Sequence, residues 1–315
     1  MGTRVQKKDR QPFKTLLGRV GNTPLVEIPH PKSDSVRILA KCEWQNPSGS
    51  VKDRAAANMV KIALEKGDLE NKILLDATSG NTGIAYAMFA AAAEQPVVLA
   101  LPENASPERK KLLNNYGATI ILTSAMEGTD GAQKKVSELL AEHPDRYYCP
   151  DQYNNDANWQ AHYISTGPEI WQQSQQRVTH FVAGLGTTGT FIGSSRFLQT
   201  KGVSCVEVQP DTPLHALEGW KHLETAIMPG IYDKDVANER LYVSSEKACL
   251  YAKAAFRYLG LALSPSSAAN LIAALDLADK IGSGTIVTIF ADNALKYLND
   301  SFWSDNDHLK QNPFC

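Results

Sequence analysis

Residues 41–54 read Lys41-Cys42-Glu43-Trp44-Gln45-Asn46-Pro47-Ser48-Gly49-Ser50-Val51-Lys52-Asp53-Arg54. An apolar strand, Val36-Arg37-Ile38-Leu39-Ala40, runs into this stretch, and an alanine-rich helical run, Ala55-Ala56-Ala57-Asn58-Met59-Val60, leaves it. Asn46-Pro47 and Gly49 mark a turn between them. Ser50 has the chemistry of an N-cap, which places Lys52 in the first turn of the helix. A helix N-terminus carries partial positive charge, so an ammonium held there and partly desolvated gives up its proton more easily. A neutral lysine amine is a nucleophile toward aldehydes. Lys52 therefore reads either as a Schiff-base lysine or as a surface lysine whose charge Asp53 offsets.

The same strand–turn–helix order recurs on both sides. The helix after Lys52 extends over 51–66 and ends at Gly67. Strand 73–77 leads through Thr78-Ser79-Gly80-Asn81-Thr82-Gly83 into a helix at 84–93. Strand 97–101 stops at Pro102, helices follow at 107–116 and 131–143, and a strand lies at 119–122. Residues 147–158, rich in Asn, Asp, Gln and Pro, read as a linker. The pattern then resumes with a helix at 168–176, strand 180–183, a glycine turn at 184–190 and a helix at 191–200. Strand 206–208, a long loop at 211–232, helices at 247–259 and 268–281, and strand 285–290 complete it. Residues 1–12 and those from Asn306 onward are polar. Such alternation is the signature of a parallel α/β sheet.

In open α/β sheets, ligands bind where strands end and helices begin. Gly184-Leu185-Gly186-Thr187-Thr188-Gly189-Thr190 suits a phosphate, because glycines let the backbone close on an anion and the following helix aims N–H groups at it. The same glycines match a dinucleotide fingerprint, with Glu207 about 20 residues further on, so a nicotinamide cofactor competes for this turn, as does plain tight packing. The turn at 78–82 suits a carboxylate, or a phenolate-like oxygen beside Asn81, or is a simple helix cap. Ser266-Ser267 supplies either an N-cap or a hydroxyl for a heterocycle nitrogen. A lysine for an aldehyde, a cradle for a phosphate, an Asn for a ring oxygen and a serine for a ring nitrogen together describe pyridoxal phosphate.

Bulk properties exclude other classes. The 315 residues suit two domains or one large one. With a formal net charge of −2 and no long basic block, nucleic-acid binding has no electrostatic footprint. The most apolar runs, such as residues 83–93, are too short to span a bilayer. The N-terminal residues carry no secretory signal, and Gln6 argues against myristoylation at Gly2. The cysteines are Cys42, Cys149, Cys205, Cys249 and Cys315, with no Cys-x-x-Cys pair, which points to a reducing cytoplasm and to no metal site.

Residues 46–54, 78–83 and 186–190, together with Asp151-Gln152-Tyr153-Asn154-Asn155 and Thr166-Gly167-Pro168-Glu169-Ile170-Trp171, resemble the cysteine synthase branch of the fold-type-II pyridoxal phosphate enzymes. The Gly-Thr-Thr-Gly-Thr form, with Trp220 and Met228-Pro229-Gly230-Ile231, looks most like the B-type enzyme. The resemblance runs from about residue 14 to about residue 300, and its extent decides the phosphate turn against the nicotinamide rival. It implies two open, twisted, mostly parallel sheets with helices on both faces, as in the tryptophan synthase β chain. A smaller mobile α/β domain would comprise residues 47–155, and a larger cofactor-binding domain residues 13–46 plus 156–305, with polar tails at 1–12 and 306–315.

The resemblance also implies roles. Lys52 would form the Schiff base and move the α-proton. Asn81 would bond the ring oxygen, Gly186, Thr187, Thr188, Gly189 and Thr190 the phosphate, and Ser266 the pyridine nitrogen. Thr78, Ser79, Gly80, Thr82 and Gln152 would bind the substrate carboxylate. The implied reaction makes L-cysteine from O-acetylserine and sulfide, or thiosulfate, through an aminoacrylate, in a homodimer. Alternatives are another donor or nucleophile, as in cystathionine or diaminopropionate formation, and a non-catalytic regulatory homologue. Three places depart from the family pattern. Ala268-Ala269 stand where glycine is usual beside the ring. Residues 291–296, Ala291-Asp292-Asn293-Ala294-Leu295-Lys296, lack a usual glycine and arginine. Glu218-Gly219 precede Trp220 where basic residues are usual, which argues against a phosphorylated donor.

Overall fold

In the computed structural model, residues 10–30, 35–78, 80–304 and 312–314 are described. Helix α1 (Gln11–Leu17) is followed by strands β1 (Leu25–Ile28) and β2 (Val36–Cys42) and by helix α2 (Lys52–Lys66). Next come β3 (Ile73–Ala77), α3 (Asn81–Ala92), β4 (Val97–Pro102), α4 (Pro107–Asn115), β5 (Thr119–Thr123), α5 (Gly128–Glu142) and the short β6 (Tyr147–Tyr148). Helices α6 (Asp156–Ile164) and α7 (Thr166–Gln173) precede β7 (His180–Gly184), α8 (Gly189–Gln199), β8 (Ser204–Pro210) and β9 (Glu239–Val243). The last elements are α9 (Ser245–Ala254), a π-helical turn at Ala255–Leu259, α10 (Pro265–Ala278) and β10 (Gly284–Phe290). Among the described residues, no helix is long and apolar enough to cross a membrane.

The chain divides into two compact units, Met1–Val20 with Met59–Pro150, and Gly21–Asn58 with Asp151–Cys315. The first holds a four-stranded parallel sheet of order β5-β4-β3-β6. Leu75, Ala77, Val98 and Ala100 face Ala132 and Val136 of α5. Leu99, of opposite parity, faces the side of Gly83 in α3.

The second unit holds a six-stranded sheet of order β1-β2-β10-β7-β8-β9, parallel except for β1. The period of two in β2 decides its layers. Val36, Ile38, Ala40 and Cys42 pack with Ala248 and Ala252 of α9 and with Ala268, Ala269 and Ile272 of α10. Leu39 packs on the other face with Ile170 of α7 and Phe191 and Ile192 of α8. A one-residue slip would exchange these sets and carry Lys41 into the apolar layer, so the register is strongly held. Residues 47–58, expected with the smaller domain, group with this unit, and 13–20 group with the first. The turn before Lys52 is anchored here: Val51 N donates to Ala291 O at 2.8 Å, Lys296 Nζ to Ser48 O at 2.8 Å, and Asn58 Nδ2 to Ala157 O at 2.7 Å.

Several local readings shift. The expected linker at 147–158 contains β6 and the first residues of α6, because Asn155 accepts from Ala157 N at 3.0 Å and caps the helix. Polar composition hid that helix. Strand β9 was also unforeseen, since an edge strand with mostly exposed residues carries little apolar signal. Helices α3 and α8 begin earlier than expected, so Asn81, Thr82, Gly189 and Thr190 lie in first helical turns. Residues 11 and 12, expected in the loose N-terminal tail, open α1. Most of the tails, residues 1–9 and 305–311, and Ser79 lie outside the described residues.

Candidate active site

The turn at 46–51 is built as its residues suggested. Gly49 has φ +85, a conformation that glycine adopts without a Cβ penalty. Ser50 Oγ accepts from Lys52 N at 3.2 Å. Lys52 thus opens α2, partly buried, and desolvation lowers its amine's pKa against the opposing charge of Asp292. Asp53 does not offset that charge. It is fully buried and accepts from Ser48 N at 2.5 Å and from the Ser48 hydroxyl, and burial raises its pKa to about 6. The carboxylate of Asp292 is itself held by the Tyr297 hydroxyl. The divergent loop at 291–296 therefore bears directly on Lys52. It supplies the facing charge through Asp292 and a brace through Lys296, whose ammonium caps the Ser48 and Gly49 carbonyls.

The turn expected to hold a phosphate joins β7 to α8. Thr188 sits at its end with φ 73, and its Oγ1 is buried without a hydrogen-bond partner. A Cβ on Gly186 would stand 2.1 Å from the Gly219 carbonyl, so only glycine lets the backbone before Trp220 pass so close. Asn270 of α10 fixes the turn's root, accepting from Gly184 N at 2.8 Å and donating to Ile289 O at 2.7 Å. Glu207, the acid of the dinucleotide reading, is fully buried and bonded to Arg240, Tyr232 and Gln209. It is part of a structural cluster.

The serines at α10 divide their work differently from the expected pattern. Ser264 caps the helix, with its hydroxyl accepting from Ser267 N at 3.2 Å. Ser267 Oγ donates to the Asp292 carbonyl at 2.8 Å. Ser266, relieved of capping, rests on the Glu218 carbonyl at 3.2 Å. Ala268 and Ala269 are fully buried in the apolar cluster behind the sheet. Lys221, just after Trp220, lies over the Tyr153 ring with its Nζ 4.9 Å from the centroid.

Within the first unit, β3 delivers Thr78 to the start of α3. Gly80 is the N-cap, and Asn81 and Thr82 follow in the first turn. Gly83 allows Thr78 to fold back, since a Cβ there would meet the Thr78 carbonyl at 2.7 Å. The N–H groups of such a first turn have no intrahelical partners and favour an anion.

One constellation had no counterpart in the sequence reading. Arg54, Glu43, Glu169 and Lys41 form a buried charge cluster two residues past Lys52. Arg54 Nε and Nη2 bond Glu43 at 2.7 and 2.8 Å, and Nη1 and Nη2 bond Glu169 at 2.7 and 2.8 Å. Lys41 Nζ lies 2.8 Å from Glu169. Burial would raise the Glu169 carboxyl, but Arg54 and Lys41 hold it at about 2. Glu43 is likewise held low, where Arg54 outweighs complete burial. Burial lowers the Lys41 pKa despite the facing carboxylates.

These residues fit pyridoxal phosphate. An orphaned buried hydroxyl, Thr188 Oγ1, stands at a helix N-terminus where a phosphate would satisfy it. A lysine whose amine is driven toward the neutral form opens another helix of the same unit. Comparison with known proteins agrees. Residues 16–292 match the model of the family described as pyridoxal-phosphate dependent enzyme. A cysteine synthase of Aquifex aeolicus (strain VF5) is 45% identical over 309 residues, covering 95% of this chain and 94% of that relative. Cysteine synthase B of Escherichia coli (strain K12) is 36% identical over 303 residues, covering 95% and 99%. The crystal structure of a cysteine synthase from Entamoeba histolytica has a TM-score of 0.88 at 32% identity, covering 93% of this chain and 91% of that one. The chain belongs to the pyridoxal-phosphate dependent enzymes, in the branch that holds the cysteine synthases.

Proposed function

We propose that this protein makes L-cysteine from O-acetylserine and sulfide, or thiosulfate, by β-replacement with pyridoxal 5'-phosphate. The observation that carries the reading is Lys52, a lysine at a helix start whose amine is desolvated toward its nucleophilic form. When bound, the cofactor supplies an electron sink for charge developing at the substrate's α-carbon. The chain supplies the rest. Lys52 Nζ would hold the cofactor's aldehyde carbon and, once displaced, take the α-proton, a task for which a lowered pKa suits it. Gly186, Thr187, Thr188, Gly189 and Thr190 would bind the phosphate, and Asn81 the ring oxygen. Ser266 would partner the ring nitrogen, trading its single 3.2 Å bond to the Glu218 carbonyl. An uncharged serine there would not protonate that nitrogen, which would favour loss of the β-substituent. Thr78, Ser79, Gly80, Thr82 and Gln152 would bind the substrate carboxylate. We read the protein as a cytoplasmic homodimer. Buried free thiols at Cys42 and Cys205 accord with a reducing compartment.

The test is direct. Purified protein loaded with the cofactor should change its visible absorption on addition of O-acetylserine, recover on addition of sulfide and release cysteine. Lys52→Ala should abolish covalent retention of the cofactor after borohydride treatment, together with the absorption changes. Cysteine formation from another serine derivative, with none from O-acetylserine, would move the reading to a different donor. The loop at 291–296, which lacks a glycine and an arginine usual in the family, motivates that second reading. Full cofactor occupancy with no turnover of any such substrate would sink the enzymatic reading.

A further inference from the structure

Helix α6 packs against α8, and two glycines of α8 permit the approach. A Cβ on Gly189 would come 2.0 Å from Asn158 Oδ1, and one on Gly193 would come 2.0 Å from the Trp159 carbonyl and 2.8 Å from His162 Cβ. Asn158 and His162 are four residues apart, so they share one face of α6. Both are almost completely buried. Asn158 Nδ2 donates to Gln152 O at 2.7 Å and to Thr187 Oγ1 at 3.0 Å. A backbone carbonyl only accepts, so this first bond fixes which way the amide points. Its second N–H must then enter a lone pair of Thr187. His162 Nδ1 lies 2.9 Å from Thr166 Oγ1, and its Nε2 lies 3.3 Å from Thr190 Oγ1. Burial and the nearby Arg54 charge push the ring's pKa down to about 3, so it is neutral, with one donor and one acceptor.

We propose that Asn158 and His162 are positioning residues that aim the hydroxyl hydrogens of Thr187 and Thr190 at an anion bound at the start of α8. They do so by donating into the two threonine oxygens, which leaves each O–H group to donate outward. For His162 this is the Nε2–H tautomer, with Nδ1 accepting from the Thr166 hydroxyl. The opposite tautomer would draw the Thr190 hydrogen into the ring and turn lone pairs toward the anion. A hydroxyl that already accepts a hydrogen bond is polarised into a stronger donor. Thr188 Oγ1, buried without a partner, completes the set of three threonine hydroxyls in the turn. Asn158 also ties the backbone of Gln152, the expected substrate residue, to the same array. The inference rests on reading residues 186–190 as the phosphate site of the cofactor.

The experiment measures dissociation constants of the cofactor-free protein for pyridoxal 5'-phosphate and for pyridoxal, which lacks the phosphate. If the unmodified protein binds both equally, the phosphate reading itself fails, whatever the variants do. Given a preference for the phosphorylated form, Asn158→Asp keeps the shape but replaces a donor by an acceptor, and His162→Leu removes the ring donor. Each should weaken binding of pyridoxal phosphate by about tenfold or more and change binding of pyridoxal by less than about twofold. His162→Gln, which can carry an N–H near the Nε2 position, should recover most of the loss, and His162→Asn should not. Equal losses for both ligands would show that the two residues only support packing and would overturn the proposal. So would an Asn158→Asp protein that binds pyridoxal phosphate normally. Should His162→Leu fail to fold, the ordering of His162→Gln above His162→Asn carries the same test, and equal affinities in that pair would refute it.

Discussion

Arg54→Met probes how the start of α2 is held. Arg54 is 2% exposed, and its guanidinium shares hydrogen bonds with two carboxylates, of which Glu43 is fully buried. Methionine keeps much of the stem but removes every donor. Glu43 would then keep only the Thr23 hydroxyl and the Asn46 amide at 2.7 Å each, and Glu169 only Lys41. Removing one partner from a buried ion pair costs about 3–5 kcal/mol, because the remaining charge stays desolvated. With two carboxylates affected, the upper end of that range is expected. Adding Glu43→Gln should recover at least about 2 kcal/mol, since the stranded charge disappears while the polar partners remain. The assay is equilibrium urea unfolding followed by tryptophan fluorescence. All five tryptophans fall in the second unit, so the signal reads the unit that contains the cluster. A loss below about 1 kcal/mol for Arg54→Met, or no recovery in the double variant, would refute the view that Arg54 neutralises two buried acids.

Three further outcomes follow from the same geometry. Glu169 is held at about 2 against an ordinary 4.5, so its pairing contributes stability that is complete above about pH 4.5 and lost as pH falls toward 2. Glu169→Gln should flatten the acid limb of stability against pH; an unchanged limb would contradict the assignment. Burial pushes the Cys42 thiol up to about 12 and the Cys205 thiol up to about 11, so neither should react with a maleimide in the native protein at pH 8, whereas the partly exposed Cys149 and Cys249 should. Mass spectrometry of labelled peptides decides this. Gly193→Ala drives a methyl against the Trp159 carbonyl, so α6 must shift from α8. A stability loss of about 1–3 kcal/mol is expected in urea unfolding, with weaker binding of pyridoxal phosphate in fluorescence titration.

The frame was legible because it follows local rules. Strand β3 lies where its apolar run predicts, and α2 ends where Gly67 takes φ +84. Ser50 and the turn before it place Lys52 at a helix start through neighbours no more than a few residues away. The motifs carrying the family resemblance are contiguous for the same reason, since a backbone that closes on an anion needs its glycines and hydroxyls in sequence.

Other features needed contacts across the chain. Local propensity could not choose among Ser264, Ser266 and Ser267 as the cap of α10. The Asp292 carbonyl, 25 residues from Ser267, draws that hydroxyl away and leaves the cap to Ser264. Nothing in the sequence pairs Arg54 with Glu169, and their meeting across 115 positions, beside the nearer Glu43, makes burying the Arg54 charge tolerable. The first residues of α6, 156–158, fell within the expected linker, because Asn158 is buried to meet the Thr187 hydroxyl, a use that adds no apolar signal. Lys52 divides between the two levels. Its place at a helix start is a local property. The desolvation that lowers its pKa and the Asp292 charge that opposes it come from packing, because the dielectric around an amine is set by whatever the whole fold brings near it.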